Sequence, residues 1–122
     1  MDSKIYFASG KAGVSYAGKT GYAVKHDGAD IVVCSATTDL PAGVIVDVNA
    51  VDNTLAVALP GAVVPVKVSG AVKRLQRGVI AADGSATAEA GAANEVAYCQ
   101  FLADGVADET VNALILAPVK RA

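Results

Sequence analysis

A chain of 122 residues has room for one domain with a modest core, since a domain of this size buries about two thirds of its unfolded surface. The composition is 53% hydrophobic but only 5% aromatic, without tryptophan, so the core has to be built from Ala, Val, Leu and Ile, and 18% charged residues cover the rest thinly enough to favour a buried subunit interface. A net charge of −2 excludes the overall electrostatic footprint of a nucleic-acid-binding protein.

Residues 3–21 carry Gly10, Gly13, Gly18 and Gly21 among scattered Ser, Lys and Tyr, a composition suited neither to a helix nor to a packed strand. The expectation is an extended N-terminal arm over residues 1–20, followed by a single β-barrel domain over 21–122. Within residues 1–26, Lys4, Lys11, Lys19 and Lys25 face Asp2 alone, so this end is weakly basic at +3 while the remainder sums to −5. The N-terminus offers no apolar stretch of signal-peptide length. The longest uncharged apolar run, Leu55 to Val66, is broken by Pro60-Gly61 and Pro65, so a soluble product of the cytoplasm is expected.

From Tyr22 onward, short β-type runs alternate with turn residues at intervals of about ten, the pattern of a small antiparallel barrel or sandwich. Tyr22 to His26 meets Ala29 to Ser35 across Asp27-Gly28, a strong hairpin signal. After the turn Thr38 to Gly43, Val44, Val46 and Val48 alternate with Ile45, Asp47 and Asn49 in a third strand. Asp52-Asn53 leads into Leu55 to Leu59, and Pro60-Gly61 into Ala62 to Val68, where Pro65 marks an edge strand or a bulge because it donates no ladder hydrogen bond. Lys73, Arg74 and Arg77 form a dense basic cluster that reads as a solvated face. Val79 to Ala82 and Ser85 to Ala90 form a further hairpin across Asp83-Gly84, although Ala86 to Ala93 is helical on propensity alone. Glu95 to Leu102 and Val111 to Ala117 complete the strands, and Pro118 to Ala122 reads as a short basic tail.

An internal echo runs at an offset of 56: Asp27-Gly28 recurs as Asp83-Gly84, Asp39 as Glu95, and Asp52-Asn53-Thr54 as Asp108-Glu109-Thr110. A duplicated β-unit and chance matching in a chain rich in Ala, Gly and Val both account for it.

Chemistry-bearing constellations are scarce. Cys34 and Cys99 lie in apolar runs with no C-x-x-C spacing, so free thiols are expected, and His26 has no second metal ligand at a recognisable interval. The Asp residues coincide with turns, where their side chains bond nearby backbone amides. Gly13 to Thr20, GVSYAGKT, matches the phosphate-cradling pattern G-x-x-x-x-G-K-[ST] in full. That pattern works only between a buried strand and a helix whose N-terminal amides face the phosphate. Here a hairpin signal follows where the helix is needed. No catalytic, cofactor-binding or metal-binding residue is assigned, and no enzymatic activity or cofactor is expected.

The AVKHDGADIVV hairpin, the PAGVIVDV strand, the PGAVVPVKVSG pair, RGVIAADGSATAEA and the final VNALILAP, together with the Gly-rich N-terminus, resemble the capsid decoration (cement) proteins of tailed phages over about Gly21 to Pro118. The resemblance implies a small β-barrel that forms homotrimers on the outside of the phage head, binds the major capsid protein and reinforces the shell, with no nucleic-acid or membrane partner. By charge, Lys4, Lys11 and Lys19 are the candidate capsid-binding residues. Another virion or surface β-module, such as a fibre, neck or carbohydrate-binding domain, is the alternative.

Overall fold

The computed structural model describes residues 5–122, and all regular structure among them is β. Ten strands follow in chain order: β1 Ile5–Ser9, β2 Ala23–Asp27, β3 Asp30–Val33, β4 Gly43–Asn49, β5 Thr54–Ala58, β6 Val63–Lys67, β7 Arg77–Ile80, β8 Ala86–Ala88, β9 Val96–Phe101 and β10 Thr110–Lys120. They form two antiparallel five-stranded sheets, ordered β1-β5-β4-β2-β3 and β6-β10-β9-β7-β8. The all-β expectation holds, with the domain built as two curled sheets.

Adding five to every strand number of the first sheet gives the second. The equivalence extends to individual hydrogen bonds: Gly10 N to Asn53 O matches Val68 N to Glu109 O, and Gly21 N to Ile45 O matches Leu75 N to Phe101 O. Likewise Ile45 N to Tyr22 O matches Phe101 N to Gln76 O, and Cys34 N to Ala23 O matches Glu89 N to Arg77 O. Each sheet curls until its edge strands meet, through an isolated parallel bridge Gly10–Ile31 in one and Val68–Ala86 in the other. The duplicated unit is therefore present in the fold.

Two apolar clusters hold these layers. Tyr16, Val24, Ile31, Ile45, Leu55 and Val57 fill the inside of the first sheet. A larger cluster fills the second sheet with Val66, Tyr98, Phe101 and Ile115 and reaches across to Ala23, Cys34, Val44 and Ala58 of the first. This second contact explains why β4 departs from simple alternation. Val44 faces the other half and Ile45 its own, so both are buried, and a bulge between Ile45 and Asp47 then shifts the register. Gly43 has no alternative residue, because a Cβ there would collide with the Ala58 carbonyl and the Val57 side chain.

The expectation of an extended arm over residues 1–20 is corrected for residues 5–20. Ile5–Ser9 pairs along its whole length with β5, Ile5 opposite Ala58 and Ser9 opposite Thr54. Tyr16, at 1% exposure, is a core residue. The glycines that suggested an arm serve the turns of the β1–β2 loop. Pro65 lies on edge strand β6, as its missing amide requires, and the Ala-rich stretch Ala86 to Ala93 holds no helix: it begins as strand β8, in a hairpin with β7, and continues without regular structure. The tail is paired further than expected, with Val119 opposite Ala97 and Lys120 opposite Val96 after a register shift.

Candidate interaction surface

The β1–β2 loop is pinned from within. Tyr16 Oη donates to Ile31 O at 2.6 Å and accepts from Lys11 N at 2.9 Å, and Asn53 Nδ2 donates to Lys11 O at 3.1 Å. A buried aromatic ring with both polar duties met anchors a Gly-rich loop that has little propensity of its own. Lys11 and Lys19 ride on this platform. Lys11 Nζ lies 3.4 Å from Asp27 Oδ2 in an exposed pair, and Lys19 Nζ sits 4.6 Å from the centroid of the Tyr22 ring. Lys4 lies outside the described residues. The two lysines that are described belong to one loop, and Lys19 sits where the halves meet, lining one depression with Cys34 of the first half and Asp83 of the second.

The same loop contains GVSYAGKT. Three of its amides are used locally: Val14 N donates to Lys11 O, Ala17 N to Ser15 Oγ and Lys19 N to Tyr16 O. The chain then enters β2 and not a helix, so this stretch lacks the row of free helix N-terminal amides that holds a phosphate. Among the described residues no three His, Cys, Asp or Glu side chains converge as metal ligands.

The counterpart loop in the second half, β6–β7, carries the basic cluster that the sequence reads only as a solvated face. Its backbone is held at several points. Lys73 N donates to Gln76 Oε1, Arg74 N to Asp104 Oδ1, Leu75 N to Phe101 O, and Gln100 Nε2 to Leu75 O. Arg77 pairs with Glu89 across the β7–β8 ladder at 2.6 Å. Leu75 has φ of 72° and is 59% exposed, a left-handed backbone holding an apolar side chain outward between cations. A leucine in this conformation costs about 1–2 kcal/mol relative to the right-handed region. Sequence reasoning passes over Leu75, since no local signal announces a left-handed leucine. Only the alignment of the two halves, which places it on Gly21, reveals it.

Further large apolar side chains stand outside the core. Phe7 on β1 is 74% exposed beside Asp47 and Asp52, and Val51, Val63, Val106 and Val119 are open as well. Where the halves meet, Asp83 is held below the ordinary carboxylate range by the Ser85 hydroxyl and amide, with Lys19 adding to the effect. No family model matches the chain, and no curated protein matches it.

Proposed function

We propose that this chain is a capsid decoration protein, which attaches as a homotrimer to the outer surface of a phage head through the major capsid protein and stiffens the shell. One observation carries the reading. The core is filled mainly by Ala and Val, whereas Phe7, Leu40, Val51, Leu75, Val106 and Val119 are left outside. A small domain that exposes side chains of this size in several places is suited to being covered by copies of itself and by a larger surface. The resemblance of its strand and turn segments to decoration proteins supplies the identity of that surface.

The pinned β1–β2 loop, with Lys11 and Lys19, provides the capsid contact in this reading, and Lys4 extends the same basic end. The carbohydrate-binding alternative is weakened because Tyr16, Tyr98 and Phe101 are buried, so few aromatic faces remain on which a sugar could stack. The test is addition of the purified protein to heads that lack it. Saturable binding, with a raised temperature for release of packaged DNA, supports the proposal, and the absence of binding to such heads overturns it. Lys11→Glu with Lys19→Glu is expected to weaken that binding at least about tenfold while leaving the circular dichroism melt within a few degrees of the parent.

A further inference from the structure

The two halves touch through a contact that is not symmetric. The second half presents two elements to the first. Its β6 strand donates Lys67 N to Gly21 O at 2.9 Å, and its β7–β8 turn Ala82-Asp83-Gly84 offers Gly84 O to Ala23 N at 2.8 Å. Asp83 of that turn lines the same depression as Lys19, two residues before Gly21. Gly21, Ala23 and Cys34, the receiving residues, are buried.

Register equivalence gives each of these residues a counterpart. Lys67 corresponds to Ser9, and the Ala82-Asp83-Gly84 turn to the shorter Gly28-Ala29 turn, with Asp27 in the place of Ala81. On the receiving side Lys19, Gly21, Ala23 and Cys34 correspond to Lys73, Leu75, Arg77 and Glu89. Inside one chain these counterparts do not meet. Ser9, Asp27 and Gly28 are exposed, and so are Lys73, Leu75 and Arg77. A contact used once internally therefore leaves one presenting face and one receiving face open, as any head-to-tail contact must.

We propose that these two open faces dock on each other between copies of the chain, the Asp27–Asp30 turn of one copy seating beside Lys73, Leu75 and Arg77 of the next. Charge favours this pairing. The presenting turn carries Asp30 and Asp27, the latter in an exposed pair with Lys11, while the receiving face carries Lys73 and Arg74 beside the Arg77–Glu89 pair, and the internal contact likewise brings a carboxylate of its turn, Asp83, beside Lys19. The contact between copies is looser than the internal one. A Cβ at Gly21 would lie 2.9 Å from Lys67 N, so Leu75 holds the incoming strand further away, and Gln100 Nε2 already occupies the Leu75 carbonyl. Side chains carry it instead, with Leu75 as the apolar anchor inside a cationic rim. Resting on the trimer reading above, the inference makes the trimer a closed ring of six like β-units.

Charge reversal with rescue tests it, read as solution mass by sedimentation velocity across a range of concentrations. Asp27→Lys and Lys73→Glu are each expected to raise the concentration at which the trimer dissociates by at least about threefold, and the double variant to return toward wild type. Leu75→Gly relieves the left-handed strain, so it is expected to keep or raise thermal stability while weakening association. Failure of the double variant to recover, or association unchanged in all the variants, overturns the contact while leaving the trimer standing. A larger mass for Leu75→Gly also overturns it, since Leu75 would then block this face. A wild-type monomer at every concentration overturns the trimer reading and this inference together.

Discussion

Tyr16 shows how much one side chain does in a chain with few aromatics. It fills the inside of the first sheet and bridges Ile31 O to Lys11 N, so it joins a loop without regular structure to β3. Tyr16→Phe keeps the ring and strips both partners, at an expected cost of about 1–3 kcal/mol in denaturant unfolding. Tyr16→Ala adds a cavity and is expected to cost about 3–5 kcal/mol. Asp39 works by charge. Burial alone would raise its carboxyl, but hydrogen bonds from Ser35 N, Lys25 Nζ and Ala36 N outweigh this and hold it below its ordinary value of 3.8. The fold therefore favours the ionised form. The stabilisation is complete above the ordinary carboxylate range and is lost as pH falls through the lower folded value. Asp39→Asn is expected to be less stable at neutral pH and to show a flatter loss of stability below about pH 4 in acid titration of the melting temperature. The cysteines follow burial in the opposite direction. Both thiols are unbonded and pushed up to about 12 by desolvation, so they stay protonated and out of reach at neutral pH. A thiol reagent is expected to label neither within the time that labels both in denaturant.

Strands were readable where turn chemistry bounded them. Asp27-Gly28 and Asp83-Gly84 mark hairpins because few other pairs accept the backbone angles required, and Pro65 marks an edge because it has no amide to give. Strand β1 was hidden for a physical reason. IYFAS is a short apolar run whose neighbours are glycines, and nothing local to it announces β5, its partner about fifty residues away. The candidate surface was half legible: the lysines of the β1–β2 loop stand out by charge, while the fixed geometry of Leu75 depends on Phe101 and Gln100 in β9. The correction to β1 reverses the outcome of a truncation. Removing residues 1–20 takes away β1, Tyr16 and the bridge at Gly10, which opens the edge of β5 and uncovers Leu55 and Val57. Each of those side chains is worth about 1.5–3 kcal/mol of burial, a large share of the stability of a domain this size. The truncated chain is expected to lose its cooperative melt, whereas a molecule with a detachable arm would keep it.

At the scale of the whole molecule the duplication was audible only in its turns. The offset between equivalent residues is 58 at β1 and β6, 54 at Gly21 and Leu75 and 56 at Thr54 and Thr110, because the loop from Gly10 to Gly21 is four residues longer than the one from Val68 to Leu75 and the second half gains two residues between Leu75 and Phe101. A fixed-period search sees one of these segments at a time, and the core residues differ between halves since one cluster is private and the other shared. That asymmetry fixes how the molecule unfolds. The first half owns the small cluster around Tyr16 and Ile45, but its Ala23, Cys34, Val44 and Ala58 are buried by the second. Separating the halves would expose these four side chains and break the bonds Ala23 N to Gly84 O and Lys67 N to Gly21 O. Each half would then expose apolar surface that the shared cluster now buries, so the two curled sheets are expected to open as one unit. Native-state hydrogen exchange checks this directly. The Ile45 and Phe101 amides, which donate to Tyr22 O and Gln76 O at equivalent positions of the two halves, should exchange with the same opening free energy. Distinctly lower protection at Ile45 would show instead that the first half opens alone, and that the shared cluster fastens it more weakly than its burial implies.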